Sequence, residues 1–129
     1  MLRLADMLLL YAEVLNEIEG PVAKAVSALN RVRNRAGLPD IEKSTYYTAA
    51  TTDKESFREQ IKIERALELS LECVRWIDLK RWGFTTDELT SIAARDADYD
   101  NFVIGKHERL PLPQREVDNN PNLDQNVNY

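Results

Sequence analysis

Apolar residues near the start of the chain recur at steps of four and three. Leu4, Leu8, Tyr11, Leu15 and Ile18 make one row, and Met7, Leu10 and Val14 make a second. A stripe that wide predicts a helix with neighbours on two sides. Gly20 followed by Pro21 reads as a stop and a restart, since glycine suits the residue after a helix and proline suits the first turn of the next. Val22, Ala25, Val26, Leu29 and Val32 carry a second helix as far as Gly37 and Pro39. Residues 3 to 36 therefore predict an antiparallel αα-hairpin about the size of one tetratricopeptide repeat, with Ala25 and Leu29 on its packing face and a partial match to the repeat consensus.

The periodicity then lapses. Residues 38 to 52 are rich in Ser and Thr and read as a long loop, with Asp53 as N-cap of a third helix running from about Lys54 to about Cys73. ECVRWIDLKRW, residues 72 to 82, continues that helix or restarts it after a kink. A short helix is expected from Thr86 to about Ala94. From Gly105 onward, Pro111, Pro113, Pro121 and five asparagines argue against regular structure, while Leu110, Leu112, Val117 and Leu123 supply apolar anchors for an arm laid over the helices. The fold class is all-α: tetratricopeptide-like hairpins with a long irregular C-terminal arm, in a single domain over 1–129.

Charge changes the picture where it enters the apolar stripes. Glu64 and Glu68 share a side of the third helix with Phe57, Ile61 and Leu71. A carboxylate at a helix interface must be protonated, metal-bound or paired, because leaving it charged and alone costs several kcal/mol. Arg33, Arg35, Arg75 and Arg81 are available, and a guanidinium has donors enough for two carboxylates. These six residues predict a structural charge network between helices two, three and four. Replacing Glu68 by Ala is then expected to cost roughly 3–5 kcal/mol. An acid/base pair or a di-metal bundle is the alternative use of Glu64 and Glu68, but His107 is the one histidine and di-iron bundles need Glu-x-x-His pairs.

Other candidate chemistry is sparse. Trp76 and Trp82 lie at helical spacing with Leu79, which predicts core positions. Exposed rings for a ligand are better sought in the loop, at Tyr46 and Tyr47. Asp96, Asp98 and Asp100 open like a calcium loop, but Asn101 stands where that loop wants Gly and His107 where it wants Glu, so a solvated acidic turn is favoured. His107 reads as a tail anchor and Cys73 as a buried thiol. No catalytic, metal-binding or cofactor-binding residue is assigned. With 17 basic and 22 acidic residues the net charge is −5, which disfavours nucleic acid as a partner. One cysteine excludes an internal disulfide, and neither a signal peptide nor a transmembrane span is expected.

Four stretches carry a resemblance. LRLADMLLLYAEVLNE (2 to 17), ALNRVRNRAGLP (28 to 39), IKIERALELSLECVRWIDLKRWG (61 to 83) and LPLPQREVDNNPNLDQNVNY (110 to 129) resemble, in this order, the C-terminal portion of SusD/RagB-family proteins. Most specific are ER-x-x-EL at Glu64, Arg65, Glu68 and Leu69, and R-W-x-DL-x-RW from Arg75 to Trp82. Cys73 stands where the family frequently has Gly, and Val127-Asn128 where it commonly has Pro-Gly. The resemblance implies a cell-surface protein of the outer membrane that binds an oligosaccharide or polysaccharide and passes it to a SusC-like TonB-dependent transporter. It implies membrane attachment through a lipid anchor absent from this chain, which reads as a C-terminal fragment serving mainly as scaffold. A different class of function is a stand-alone tetratricopeptide-like module binding a peptide in a helical groove.

Overall fold

Gly20 and Gly37 both adopt left-handed backbone conformations, φ +87° and +76°, and each lies just beyond a helix. Between and before them run α1, Leu4–Glu19, and α2, Ala23–Arg35. The computed structural model describes residues 3–45, 51–83, 90, 94 and 97–129, and at 97 and 98 the backbone only. It divides into two compact units, Met1–Arg75 and Trp76–Tyr129. The helix expected from Thr86 to Ala94 lies outside the described residues.

In the first unit α1 packs on α2 and on α3, Lys54–Glu68, and α2 meets a 3-10 turn at Ile41–Lys43. The core is Ala5, Leu9 and Ala12 of α1, Ala25, Val26, Ala28, Leu29 and Val32 of α2, Ile41, and Phe57 and Ile61 of α3. Burying one such leucine or phenylalanine contributes about 1.5–3 kcal/mol.

The buried row of α1 is a correction to the sequence pattern. Ala5, Leu9, Ala12 and Asn16 face inward, whereas Leu4 (65% exposed), Met7, Tyr11, Val14 and Ile18 (73%) face outward. Alanines let neighbouring backbones approach closely, so α2 and α3 both pack on that side. Asn16 completes the row by donating its Nδ2 hydrogen to the Lys54 carbonyl at 2.9 Å, which joins α1 to the first residue of α3.

Asp53 caps α3, its Oδ1 accepting from the Ser56 N–H at 2.9 Å. The helix stops at Glu68 rather than near Cys73, and the chain turns through left-handed Leu71 (φ +65°) and Cys73 (φ +59°). Two left-handed residues cannot continue a right-handed helix, so α4, Arg75–Trp82, is a restart. Cys73 is exposed in this turn, not buried.

The second unit holds α4, a 3-10 turn at Ala97–Asn101 and a six-residue helix α5, Gln114–Asn119. Helix α5 corrects the expectation of no regular structure after Gly105. Pro113 is its N-cap, where a missing N–H costs nothing. Leu112, Val117 and Leu123 are half-buried, but Leu110 is exposed. The amide side chains supply the bonds that a strand ladder would otherwise make. Gln125 both accepts from the Leu112 N–H (2.8 Å) and donates to its carbonyl (2.9 Å). Asn126 donates to Leu110, Asn128 to Gly105 and the Tyr129 hydroxyl to Arg109. Among the described residues there is no strand, and no helix is long and apolar enough to cross a membrane.

Candidate functional site

The ion pairs of the first unit follow from which helix faces meet. Glu64 and Arg33 are both about 4% exposed, and Oε1 of Glu64 accepts from Arg33 Nη1 and from Gln60 Nε2 (2.8 Å). Arg33 also donates from Nε to the Pro39 carbonyl at 2.9 Å. One buried side chain therefore joins α2, α3 and the loop after α2. Beside it, Asn30 Oδ1 accepts from the Ile41 N–H at 2.8 Å and holds the 3-10 turn.

Glu68 lies one turn further along α3. Its carboxylate accepts from Arg35 Nη2 at 2.6 and 2.7 Å and from Arg3 Nη1, and its backbone carbonyl accepts from Arg3 Nη2. Arg3 Nε also donates to Glu72 at 3.1 Å. Glu72 first and Glu68 second hold the Arg3 guanidinium above its ordinary range. A buried Arg65 pairs with Asp6 at 2.9 Å, tying α3 to α1.

Of the arginines that the sequence offers to the two glutamates, Arg33 reaches Glu64 and Arg35 reaches Glu68. Arg81 bonds Asp78 at 2.9 Å within α4, and Arg75 is an exposed residue at the start of that helix. Sequence reasoning missed Arg3, Asp6, Arg65 and Glu72. Two of these had a readable signal: Arg65 follows Ile61 by four residues on the buried face, and Asp6 interrupts the apolar run of α1. Both glutamates are engaged between helices by guanidinium groups, which counts against their use as a hydrolytic pair.

Tyr46 and Tyr47 lie outside the described residues, as do Asp96 and the side chain of Asp98; Asp100 is exposed. Among the described residues, no three of His, Cys, Asp and Glu stand where they could share a metal ion. His107 Nδ1 accepts from the Val103 N–H at 2.8 Å, and its ring lies edge-on to Phe102 (5.6 Å) and Tyr129 (6.3 Å). Trp76 departs from the core position expected of it. It is 40% exposed, while Leu79 is buried and Trp82 is half-buried beneath the Arg81 guanidinium, 4.6 Å from its ring. Trp76, Tyr99, Asn101, Phe102 and His107 line a cleft of about 390 Å³ in the second unit.

Helices paired as a tetratricopeptide-like hairpin, joined by the buried Arg33–Glu64 bond and followed in sequence by an amide-bonded tail, define an all-α protein. The chain belongs to the SusD family, whose model matches residues 1–129. It is 38% identical over 121 residues to SusD-like protein P25 of Formosa agariphila, covering 94% of this chain and 22% of that one. SusD-like protein P38 of the same organism is 34% identical over 128 residues, covering 98% and 24%. A solved SusD homolog from Bacteroides thetaiotaomicron VPI-5482 superposes with a TM-score of 0.82 at 36% identity, over 100% of this chain and 26% of its own. The chain thus spans about a quarter of the length of the relatives it matches.

Proposed function

We propose that this chain is the C-terminal, scaffold-rich portion of a cell-surface nutrient receptor. The receptor binds an oligosaccharide or polysaccharide without chemical conversion and delivers it to a SusC-like TonB-dependent transporter. It is held at the outer membrane by a lipid anchor carried elsewhere in the longer protein. The observation that carries this reading is the match of the whole chain to a SusD homolog in both sequence and fold. Two features support the scaffold role. The buried Arg33–Glu64 pair and the pair of buried Arg65 with half-buried Asp6 tie three helices together, and the outer row of α1 is the kind of apolar face that a further part of the same protein covers. Tyr46 and Tyr47 are proposed as contacts to the glycan.

The test is electrophoretic retardation in gels containing a panel of soluble polysaccharides, run with this chain and with a full-length SusD-family protein that contains it. Retardation of the longer protein is expected with at least one polysaccharide. Its migration unchanged by every polysaccharide would remove the glycan reading.

A further inference from the structure

The second unit carries an aromatic cleft. Trp76 sits on the first turn of α4 with 40% of its surface exposed. Its ring meets Phe102 edge to face at 5.8 Å, and Phe102 meets His107 in the same manner. Adding Tyr99 and Asn101 gives a cleft of about 390 Å³, at the lower end of the roughly 300–1,000 Å³ typical of small-molecule sites.

Three properties of its lining define the ligand. Of the five described side chains that line it, four are aromatic rings, whose faces favour a flat, C–H-rich surface. Among the described residues that line the cleft none is Lys, Arg, Asp or Glu, so none of them offers a charged ligand an opposite charge in return for its lost water. The polar groups are neutral and two-handed: the Asn101 carboxamide and the Tyr99 hydroxyl each both donate and accept. His107 Nδ1 is already engaged by Val103, which gives the ring a structural role here. A pyranose ring has this combination, with an apolar C–H face and a rim of hydroxyls that donate and accept.

We propose that this cleft is a subsite for one neutral sugar ring, stacked on Trp76 and hydrogen-bonded by Asn101 and Tyr99. The sugar's source in a captured glycan rests on the receptor reading above; the chemistry of the cleft does not. Proline-rich peptides also dock on aromatic surfaces, but they need a groove several residues long, and this cleft has room for about one or two rings.

The chain has two tryptophans, so Trp82→Phe leaves Trp76 as the sole indole reporter, with the two-tryptophan chain as control. Its emission is titrated with glucose, galactose, N-acetylglucosamine and maltose, with glucuronate as the charged comparison and decaproline as the peptide comparison. A saturable emission change is expected with at least one neutral sugar, with glucuronate bound more weakly. Asn101→Ala and Tyr99→Phe should each weaken binding by about tenfold, on the scale of a lost hydrogen bond, with unchanged melting temperature. Both positions avoid the risk that Trp76→Ala fails to fold. The proposal is overturned if no neutral sugar gives a saturable change, if both variants bind as the parent does, or if decaproline alone gives a response. Gel retardation is measured separately. Retardation without a Trp76 response removes the cleft and leaves the receptor reading standing; a Trp76 response without retardation does the reverse.

Discussion

Replacing Glu64 by Ala should be among the most damaging single changes in the first unit. The substitution leaves two donors stranded: Nη1 of Arg33, a charged group on a residue 4% exposed, and Nε2 of the equally buried Gln60. Each unsatisfied buried donor costs about 1–3 kcal/mol, more when charged, and breaking a buried ion pair from one side costs about 3–5 kcal/mol in total. A loss of about 4 kcal/mol is therefore expected, a large share of the roughly 5–15 kcal/mol that stabilises an ordinary domain. In urea, with a slope of about 2 kcal/mol/M for a chain of this size, the unfolding midpoint should fall by about 2 M at unchanged slope. Far-ultraviolet circular dichroism follows the transition. Glu55→Ala is the control, because Glu55 is 74% exposed in its pair with Arg58 and such pairs contribute about 0–1 kcal/mol. The double change Arg33→Met with Glu64→Met should recover most of the loss, since apolar replacement of a buried pair is often neutral or better. A loss below about 1 kcal/mol in Glu64→Ala would refute the argument from burial.

Glu68→Ala should cost less than Glu64→Ala, about 1–3 kcal/mol in the same urea assay, and below the 3–5 kcal/mol expected from its sequence position. Its partner Arg35 is 63% exposed and can return to water. Arg58 foremost, and then Lys54, hold the Glu17 carboxyl at about 2 against an ordinary 4.5. A depressed carboxylate stabilises the fold fully above pH 4.5 and loses that contribution as pH falls through about 2, so Glu17→Gln should make melting temperature less dependent on pH within that window. Cys73→Gly should raise stability by about 1 kcal/mol, because φ +59° suits glycine and strains other residues. The native Cys73 thiol should react with Ellman's reagent without denaturant, and slow reaction would contradict its exposure. Asn128→Gly relieves a similar φ of +73° but removes the bond to the Gly105 carbonyl, so its melting temperature should rise less than that of Cys73→Gly.

The two departures from the family pattern gain a physical meaning in the structure. The resemblance sets Cys73 and Asn128 against glycine, and both backbones are left-handed. Glycine adopts that conformation without strain, and asparagine is among the residues that tolerate it best. The sequence could show the substitutions but not the φ angles that explain them.

What the sequence determined by itself were features set within a few residues of chain: the stop at Gly20, the cap at Asp53, the core face of α2, and the need of Glu64 and Glu68 for cationic partners. Each is settled by helical spacing or by the hydrogen bonding of one turn, and both are local. Only tertiary structure decided which face of α1 is buried, because that helix is apolar nearly all round and its period suits either side. Only tertiary structure distributed the arginines, bringing Arg3 and Arg35 to Glu68 and Arg33 to Glu64 across 31 to 65 residues of chain. It also left Trp76 exposed, since burial of a ring depends on what packs over it. Helix crossings decide these pairings, and a crossing depends on the shapes of two surfaces at once, which no single stretch of sequence contains.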